Sequence, residues 1–382
     1  MSNTLTQLIP DLYQSLDIVS RELCGFIPSV TLDASAERAA LNQPIRIPVT
    51  PASDAEDVKP GQLPPDDGDQ DIGNVPLAIT KSRMVPFRWE GEQQKGIKSG
   101  PGYHGIRRDQ VTQAMRTLVN EVEYDLGQLF RRASRAAGEA GKTPFKDTLT
   151  DTAQVRKILT DNGAPLSDLQ CVIDTTAGAA LRTMAQLTKA NEAGTTSLRA
   201  QGTLLELHGF TLRESAGVAE NTGGKSEKLS VMEDLEAGTF NISVAGTGAD
   251  GKAPVPDSVQ PGSVVLLDKY KYVVKEVIGG EVIVINKPGL MNDVKSGTKF
   301  EVVSEFTANF AFSRSAIILA TRAPALPEEG DMADDRIMIT DPRTNMSFEV
   351  SMYKQYRRVR YEIAAAWGCQ NIKPEHTAVL LG

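Results

Sequence analysis

The longest regular pattern in the sequence is a run of apolar residues at helical spacing between Asp109 and Gly138. Steps of three or four residues relate most of its members, which are Val111, Met115, Leu118, Val119, Val122, Leu126, Leu129, Phe130, Ala133 and Ala137. This spacing places the side chains on one face of an α-helix. Asp109 can cap the first turn with its carboxylate, and Gly138 can end the helix in the left-handed conformation. Near the C-terminus, the negative end of the helix dipole favours cations such as Arg131, Arg132 and Arg135. We therefore predict one helix over 109–138, about 40 Å long at the usual rise per residue.

Length and composition place the chain among soluble proteins of two or three domains. It has 382 residues, of which 40% are hydrophobic and 24% charged, and no run of 18 apolar residues is present. The opening MSNTLTQLIPDLYQSLD has neither the basic start nor the apolar centre of an export signal, so we expect a cytoplasmic origin.

Cysteine count and net charge exclude several classes of site. Cys24, Cys171 and Cys369 are odd in number and widely spaced, which argues against a disulfide framework or a zinc motif. The net charge of −8 gives no overall attraction to nucleic acid. Sequence-specific DNA binding is therefore not expected, although a local basic surface could contact phosphates.

The first hundred residues combine a short helix with extended segments. Leucines and a valine at helical steps predict an amphipathic helix over residues 5–24. The segments PIRIPVTPA and SRMVPFRWEGEQQKGI alternate as strands do, and the stretch between them, VKPGQLPPDDGDQDIGNVP, is too rich in Pro, Gly and Asp to pack. We predict a two-stranded extended arm with a loose interior, which is typical of a functional or contact loop.

The remainder alternates between a mixed domain and a β module. Residues 151–160 and 175–190 are helical in pattern, and LQCVIDT between them is typical of a buried strand. From Gly238 to Val303 the segments FNISV, SVVLL, KYVVKEV, EVIVI and KFEVV recur at roughly ten-residue spacing, as in a small β-barrel or sandwich. A helical and mixed pattern then returns with FAFSRSAIILATRAPA, so the module is predicted to be an insertion. The chain closes with two further strands, a basic segment that is either extended or a hairpin, and a last strand, HTAVLL.

No sequence motif for catalysis, metal binding or cofactor binding occurs with the neighbouring residues or elements that it requires. His104, His208 and His376 have no neighbours that form a triad or metal spacing. The GxGxxG at 246–251 follows a strand but precedes a proline-containing segment where the dinucleotide fold needs a helix. The phosphate-loop ending at 224–226 has Ala219 where the first glycine is required. We predict no catalytic residue, no metal and no cofactor.

Three charged clusters have both a functional and a structural interpretation. The acidic group is Asp66, Asp67, Asp69 and Asp71, which lack the calcium-loop register and are better explained as a solvated loop or as partners of a basic surface. The basic group that could supply that surface is Arg83, Arg88, Arg107 and Arg108. The third cluster interleaves Arg357, Arg358 and Arg360 with Tyr353, Tyr356 and Tyr361; it could bind a nucleic-acid strand, but subunit packing is favoured in an acidic chain.

The order of these elements resembles tailed-bacteriophage major capsid proteins, and in particular the short-tailed-phage coat proteins with an inserted β domain. The run from Ala164 to Val218 is similar to the axial domain of that family, with its strand, helix, small-residue loop and glycine turn. The ending from Tyr361 to Leu381 resembles the family's closing pattern of an apolar strand, an aromatic-glycine turn and Pro-Glu before the last strand. The insertion departs from the family in its short loop, 246–258.

The resemblance implies an α+β fold of the tailed-phage capsid type with an inserted small β-barrel. The implied domains are an N-terminal arm (1–40), an extended loop or E-loop (41–104), the spine helix of a peripheral domain (105–142), the first part of an axial domain (143–218), the inserted β domain (219–306) and the remainder of the axial and peripheral domains (307–382). The arm and the extended loop are expected to find no partner in their own subunit and to lie across neighbours.

The function that the resemblance implies is self-assembly into pentamers and hexamers of an icosahedral shell. The implied partners are further copies of the chain, a scaffolding protein, a portal protein at one vertex and packaged double-stranded DNA without sequence specificity, and no membrane. Assembly in the bacterial host cytoplasm would yield a procapsid that expands on maturation. Candidate intersubunit contacts are Asp66, Asp67, Asp69, Asp71, Arg83, Arg88, Trp89, Arg107, Arg108, Lys252 and Asp257. The alternatives are another virion protein of the tail or decoration type, or an α/β enzyme with a β-barrel lid.

Overall fold

A computed structural model describes residues 23–49, 73–97, 103–184, 206–222, 228–246, 259–303, 305–341 and 344–382. The predicted helix over 5–24 lies almost entirely outside these ranges, as does most of the loop between the two predicted arm strands. The described residues combine α-helices with extensive β-sheet, so the predicted α+β class is confirmed.

The elements are numbered in chain order. The described helices are α1 (Gly91–Ile97), α2 (Tyr103–Gly127), α3 (Thr150–Asp161) and α4 (Thr175–Thr183). The first strands are β1 (Thr31–Ala39), β2 (Pro44–Val49), β3 (Gly73–Ala78), β4 (Lys81–Glu90), β5 (Arg135–Ala137), β6 (Leu169–Ile173), β7 (Glu206–Leu207), β8 (Phe210–Glu214), β9 (Ala219–Asn221) and β10 (Lys228–Val231). The later strands are β11 (Asn241–Gly246), β12 (Val264–Leu267), β13 (Tyr270–Ile278), β14 (Val282–Ile285), β15 (Lys299–Val302), β16 (Phe306–Ser313), β17 (Ile317–Pro324), β18 (Asp335–Thr340), β19 (Ser347–Gln355), β20 (Arg358–Asn371) and β21 (Thr377–Leu381).

The first sheet, here the β20 sheet, is organised on the 14-residue strand β20, which pairs with β17, β19 and β4. Strand β1 runs parallel to β17, and β18 pairs with β19. The apolar face of α2 shares one core with this sheet, and Met115, Leu118 and Val122 are buried there. The indole N–H of Trp367 in β20 donates to Asp125 of α2 at 2.9 Å. Burial of each such large apolar side chain contributes about 1.5–3 kcal/mol, so α2 is held chiefly by this face.

The second sheet, here the β16 sheet, continues into a closed barrel. Strand β16 pairs with β21, β6 and β9, and β6 runs parallel to β8. Strand β5 joins β21 on one side and β13 on the other. Strands β10–β15 form a ring, because β12 pairs with both β13 and β15, which confirms the predicted β-barrel. Asn286 joins the barrel to the segment that follows α2, because its side-chain amide donates to the carbonyls of Ala133 at 2.9 Å and Arg131 at 3.2 Å.

The predicted helix over 109–138 is wrong at both ends. Helix α2 begins at Tyr103 and ends at Gly127, and a 3-10 helix over Gln128–Arg132 follows it. Residues 135–137 are strand β5, because their backbone groups complete the ladder between β21 and the barrel. The apolar spacing cannot separate these states, since Phe130, Ala133 and Ala137 are buried here although none of them lies in an α-helix.

Three smaller predictions are also wrong. The two predicted arm strands do not pair with each other: PIRIPV pairs with β3, which begins in the stretch expected not to pack, and β4 belongs to the β20 sheet. Residues 91–97, expected to continue the second strand, are helix α1. The segment FAFSRSAIILATRAPA is mainly two strands, β16 and β17, and its only helical part is a single 3-10 turn over Arg314–Ala316 between them. The aromatic-glycine pair Trp367–Gly368 lies within β20 and not in a turn. A Cβ at Gly368 would lie 2.0 Å from the carbonyl oxygen of Ala78, so glycine is required where the end of β3 crosses β20.

The expectation that residues 1–40 find no partner in their own subunit is wrong for residues 25–39. Phe26 is fully buried in the main core, and β1 pairs with β17 over most of its length. The predicted domain bounds stay predictions. Within the predicted insertion of 219–306, β9 still pairs with β16, and the first barrel strand begins at Lys228.

Two glycines of α2 provide a first, matched prediction. A Cβ at Gly127 would lie 2.1 Å from the carbonyl oxygen of Gly217, whereas a Cβ at Gly105 would meet nothing within 4 Å. We expect Gly127→Ala to lower the free energy of unfolding by roughly 1–3 kcal/mol, because backbone must move aside. Gly105→Ala should raise it by about 0.5–1 kcal/mol through helix propensity. Urea unfolding of both variants tests this, and equal effects would contradict the close approach at Gly127.

Candidate intersubunit surface

Six of the predicted contact residues cannot be placed. Asp66, Asp67, Asp69 and Asp71 lie in the segment 50–72, and Lys252 and Asp257 lie in 247–258, both outside the described ranges. Their role at a subunit interface therefore stays a prediction. The remaining five candidates lie on β4 and on the first turns of α2.

Arg83 lies in a groove between β4 and the exposed face of α2. Its guanidinium forms an ion pair with Glu121 at 3.2 Å, and the Arg83 side chain is 59% exposed. The groove has a volume of about 550 Å³. We call it the spine groove, and it is lined by Lys81, Arg83, Gln113, Arg116, Thr117, Asn120, Glu121 and Tyr124. An exposed ion pair contributes little to subunit stability, typically below 1 kcal/mol, so these charges remain suited to an external partner.

Arg88 and Arg108 are at the surface but in different settings. Arg88 is exposed on β4 and lies opposite Arg360 in the β4–β20 register. Arg360 forms an ion pair with Glu362 at 2.5 Å. Arg108 is partly buried and pairs with the neighbouring Asp109 at 3.3 Å. As intersubunit contacts, both arginines remain predictions.

Trp89 and Arg107 are placed within the core of their own subunit. Trp89 is 8% exposed, and its indole N–H donates to the side-chain oxygen of Gln110 at 2.8 Å. Arg107 is also buried; it donates to the Tyr361 hydroxyl at 3.0 Å, and its guanidinium carbon lies 5.6 Å from the centre of that ring. The two side chains therefore hold the start of α2 against the β20 sheet.

The cluster of alternating arginines and tyrosines is divided between two environments. Tyr361 is buried, and the hydroxyl of Tyr353 donates to Asp331 at 3.0 Å. Tyr356 is 88% exposed at the turn between β19 and β20, with the guanidinium of Arg357 5.7 Å from its ring centre. A cleft of about 760 Å³ adjoins this turn and includes Glu90. The cluster is therefore not one continuous basic surface for nucleic acid.

Sequence reasoning missed a buried carboxylate that joins the N-terminal segment to α2. Glu123 is 3% exposed and accepts hydrogen bonds from the backbone N–H groups of Gly25, Phe26 at 2.6 Å and Ile27 at 3.0 Å, and from the Ser215 hydroxyl at 2.6 Å. Burial raises the pKa of Glu123 above its usual range, and these hydrogen bonds oppose that shift. No sequence pattern identifies it, because its partners are backbone groups about 97 residues away.

Potential metal ligands lie scattered in the described part of the chain. It contains no group of three or more His, Cys, Asp or Glu side chains placed to hold a metal ion. Burial lowers the pKa of His376, and His208 shares a hydrogen bond of 2.7 Å with the Thr152 hydroxyl. Among the described helices, none has the length and apolar character needed to cross a membrane.

Comparison with solved structures identifies the fold. The sequence matches no protein-family profile and no curated protein. A chain in the capsid structure of the Cyanophage P-SCSP1u has a TM-score of 0.50 and 10% identity, over 95% of this chain and 89% of that chain. Mycobacterium phage Che8 (TM-score 0.47, 13% identity, 89% and 84% of the two chains) and the capsid of the native GTA particle (TM-score 0.47, 9% identity, 95% and 91%) are also similar. The chain therefore has the fold of a phage capsid protein, as its resemblance to tailed-phage major capsid proteins predicts.

Proposed function

We propose that this chain is the major capsid protein of a tailed bacteriophage and self-assembles into the pentamers and hexamers of an icosahedral shell. The observation that carries the proposal is the capsid fold shared with the P-SCSP1u chain over 95% of this chain. The role is structural and not catalytic. The partners we propose are a scaffolding protein, a portal protein at one vertex and double-stranded DNA inside the shell.

The structure of the hairpin formed by β2 and β3 is an argument for assembly through contacts between subunits. Pro44–Val49 pair with Gly73–Ala78, and among the described strands neither pairs with any other. An isolated two-stranded hairpin is marginally stable in water. Its base is fixed by Leu77, which is buried with Ala320 and Ala366 of the β20 sheet. The rest of the hairpin gains buried area where it lies on another subunit.

The spine groove is the surface that we propose receives this hairpin from a neighbouring subunit. It carries both signs of charge, with Arg83 and Arg116 near Glu121, and Tyr124 in it is 56% exposed. Mixed charge with an exposed aromatic side chain is typical of an interface that is polar at its rim. In a closed shell each subunit would donate one hairpin and receive one, as heterologous ring contacts require.

The net charge of −8 is consistent with a wall that encloses DNA without binding it tightly. We further propose assembly in the host cytoplasm as a procapsid on the scaffolding protein. Expansion would then be a rotation of packed domains, with α2 as the rigid element between the extended loop and the axial domain.

Sedimentation velocity of the purified full chain, alone and produced together with a scaffolding protein, tests the proposal. We expect particles or rings of many copies, because the described residues of a single subunit leave most of the hairpin and the spine groove exposed. A chain that sediments as a monomer at every concentration and in both preparations would contradict the proposal.

A further inference from the structure

A second cleft lies between the barrel and the β16 sheet, away from the spine groove. It has a volume of about 530 Å³, and four parts of the chain line it: residues between Arg135 in β5 and Thr148, residues of α3 between Thr150 and Ile158, Lys269–Lys271 at the start of β13, and Leu381. This volume is in the range of small-molecule sites, about 300–1,000 Å³. The cleft is thus large enough for a ligand of nucleotide size.

The charge of this cleft is opposite to that of the chain. Three carboxylates line it, Glu139, Asp147 and Asp151, against six cationic side chains, Arg135, Lys142, Lys146, Lys157, Lys269 and Lys271. The excess is three positive charges, whereas the whole chain carries −8. A concave surface of one sign concentrates ions of the opposite sign.

The cations of the cleft are only partly neutralised by the subunit. Lys157 pairs with Asp161 at 2.7 Å and Lys142 with Glu139 at 3.8 Å, while Lys271 donates to the Gly138 carbonyl. No ion pair joins Lys146 or Lys269 to another residue in the described ranges, and both side chains are exposed. Asp151 already accepts a hydrogen bond from the backbone N–H of Phe145 at 2.9 Å, so it is held in place by the subunit.

Arg135 provides an independent indication of an anion. Its side chain is 2% exposed, and one terminal nitrogen donates to Asn162 at 2.8 Å and to the Ile158 carbonyl at 3.2 Å. The same nitrogen lies 3.8 Å from a carboxylate oxygen of Asp161, which neutralises part of its charge. The guanidinium carbon lies 5.6 Å from the centre of the Tyr270 ring. The Nε–H group is buried and has no hydrogen-bond partner in the described part of the chain. An unpaired buried donor of a cation is costly, and because Arg135 lines the cleft, the charge of an anion there would offset part of that cost.

The N-terminus of α3 adds a further favourable feature. The helix has twelve residues, and Leu149 at its N-cap provides no side-chain hydrogen bond. Backbone N–H groups at a helix start, together with the helix dipole, favour an anion, and here Asp151 in the first turn already supplies one negative charge. Thr148 and Thr150 also line the cleft and supply hydroxyl donors.

We propose that this cleft binds a small phosphate-bearing polyanion, of the size and charge of a nucleoside polyphosphate. Three excess positive charges match a multiply charged ligand better than a single carboxylate. A duplex is a poor occupant, because its charge extends along a helix and requires a long surface and not one cleft. The bound anion would join the barrel to the segment that precedes α3, since Lys269 lies at the start of β13 and Lys146 lies before Thr150. The inference does not depend on the capsid function.

Titration calorimetry of the full chain with sodium tripolyphosphate at 150 mM salt tests the proposal. The cleft variant is Lys146→Glu with Lys269→Glu. The control is Lys299→Glu with Lys354→Glu, two partly or fully exposed lysines outside the cleft with the same total change in charge. We expect saturable binding to the unmodified chain, at least a tenfold weaker affinity for the cleft variant, and less than a twofold change for the control.

Unfolding midpoints measured without ligand verify that the three proteins are folded. Tripolyphosphate should raise the midpoint only where the site is intact, because ligand binding stabilises the native state. Absence of binding to the unmodified chain would overturn the proposal, as would equal weakening in both variants. A synthetic peptide of residues 62–73 is the competing ligand. If it binds the cleft and tripolyphosphate does not, the cleft holds an acidic segment of another copy and the proposal is wrong.

Discussion

Glu123→Ala is expected to lower the free energy of unfolding of the subunit by about 3–5 kcal/mol. The substitution removes the acceptor of four hydrogen bonds, from three consecutive backbone N–H groups at residues 25–27 and from Ser215. The site is closed to water, since Phe26 is fully buried and Gly217 packs against the Glu123 side chain. The four donors would therefore remain unpaired in the folded state.

Glu121→Ala is the matched control on the same helix. Glu121 is partly exposed, and its only ion pair among the described residues is with the exposed Arg83. We expect a change within about 0.5 kcal/mol. Urea unfolding of the unassembled subunit measures both variants. A loss below 1 kcal/mol for Glu123→Ala would show that the N-terminal segment is not fastened to α2 by this carboxylate.

Replacement of residues 46–76 by Asn-Gly is expected to abolish assembly and leave the subunit folded. Ile45 and Leu77 face each other in the β2–β3 ladder, so a two-residue turn can join them. The replacement keeps Leu77 in its small cluster with Ala320 and Ala366. It removes most of a ladder that no third described strand flanks, together with Ile47, which is partly buried against that cluster. The variant then lacks the interface that the β2–β3 hairpin would form with a neighbouring subunit.

Two measurements on this variant separate assembly from folding. Its urea midpoint should lie within the error of that of the unmodified chain, and its sedimentation should show no particles under conditions in which the unmodified chain assembles. Normal particles would show that the hairpin is not an essential contact between subunits. A collapse of the urea midpoint would instead place the hairpin in the subunit core.

Local patterns in the sequence predict a large part of this fold. The apolar positions of α2 are buried as their spacing predicts, and LQCVI is a fully buried strand. Five of the six barrel strands follow from alternation and turn residues; the sixth, β10, is four residues long and carries no comparable pattern. These features depend on neighbours in the chain, which a single sequence displays.

Long-range pairing accounts for what could not be predicted. Residues 135–137 continue a helical pattern but become β5, because β21 and β13 offer backbone partners more than 130 residues away. The same limit applies to the candidate surface. The sequence predicts Trp89 and Arg107 as candidate intersubunit contacts. In the structure both side chains are buried in their own subunit, where they donate hydrogen bonds to Gln110 and to Tyr361 of β20. Composition alone cannot separate a core cation from a contact residue.

Cryo-electron microscopy of the full chain, produced alone and together with a scaffolding protein, tests the central claim most directly. The account predicts closed shells, or pentameric and hexameric rings, in which the β2–β3 hairpin of each subunit lies on the spine groove beside Arg83 and Tyr124 of the next. Only monodisperse single subunits in both preparations, or closed shells in which the hairpin contacts no neighbour, would contradict it.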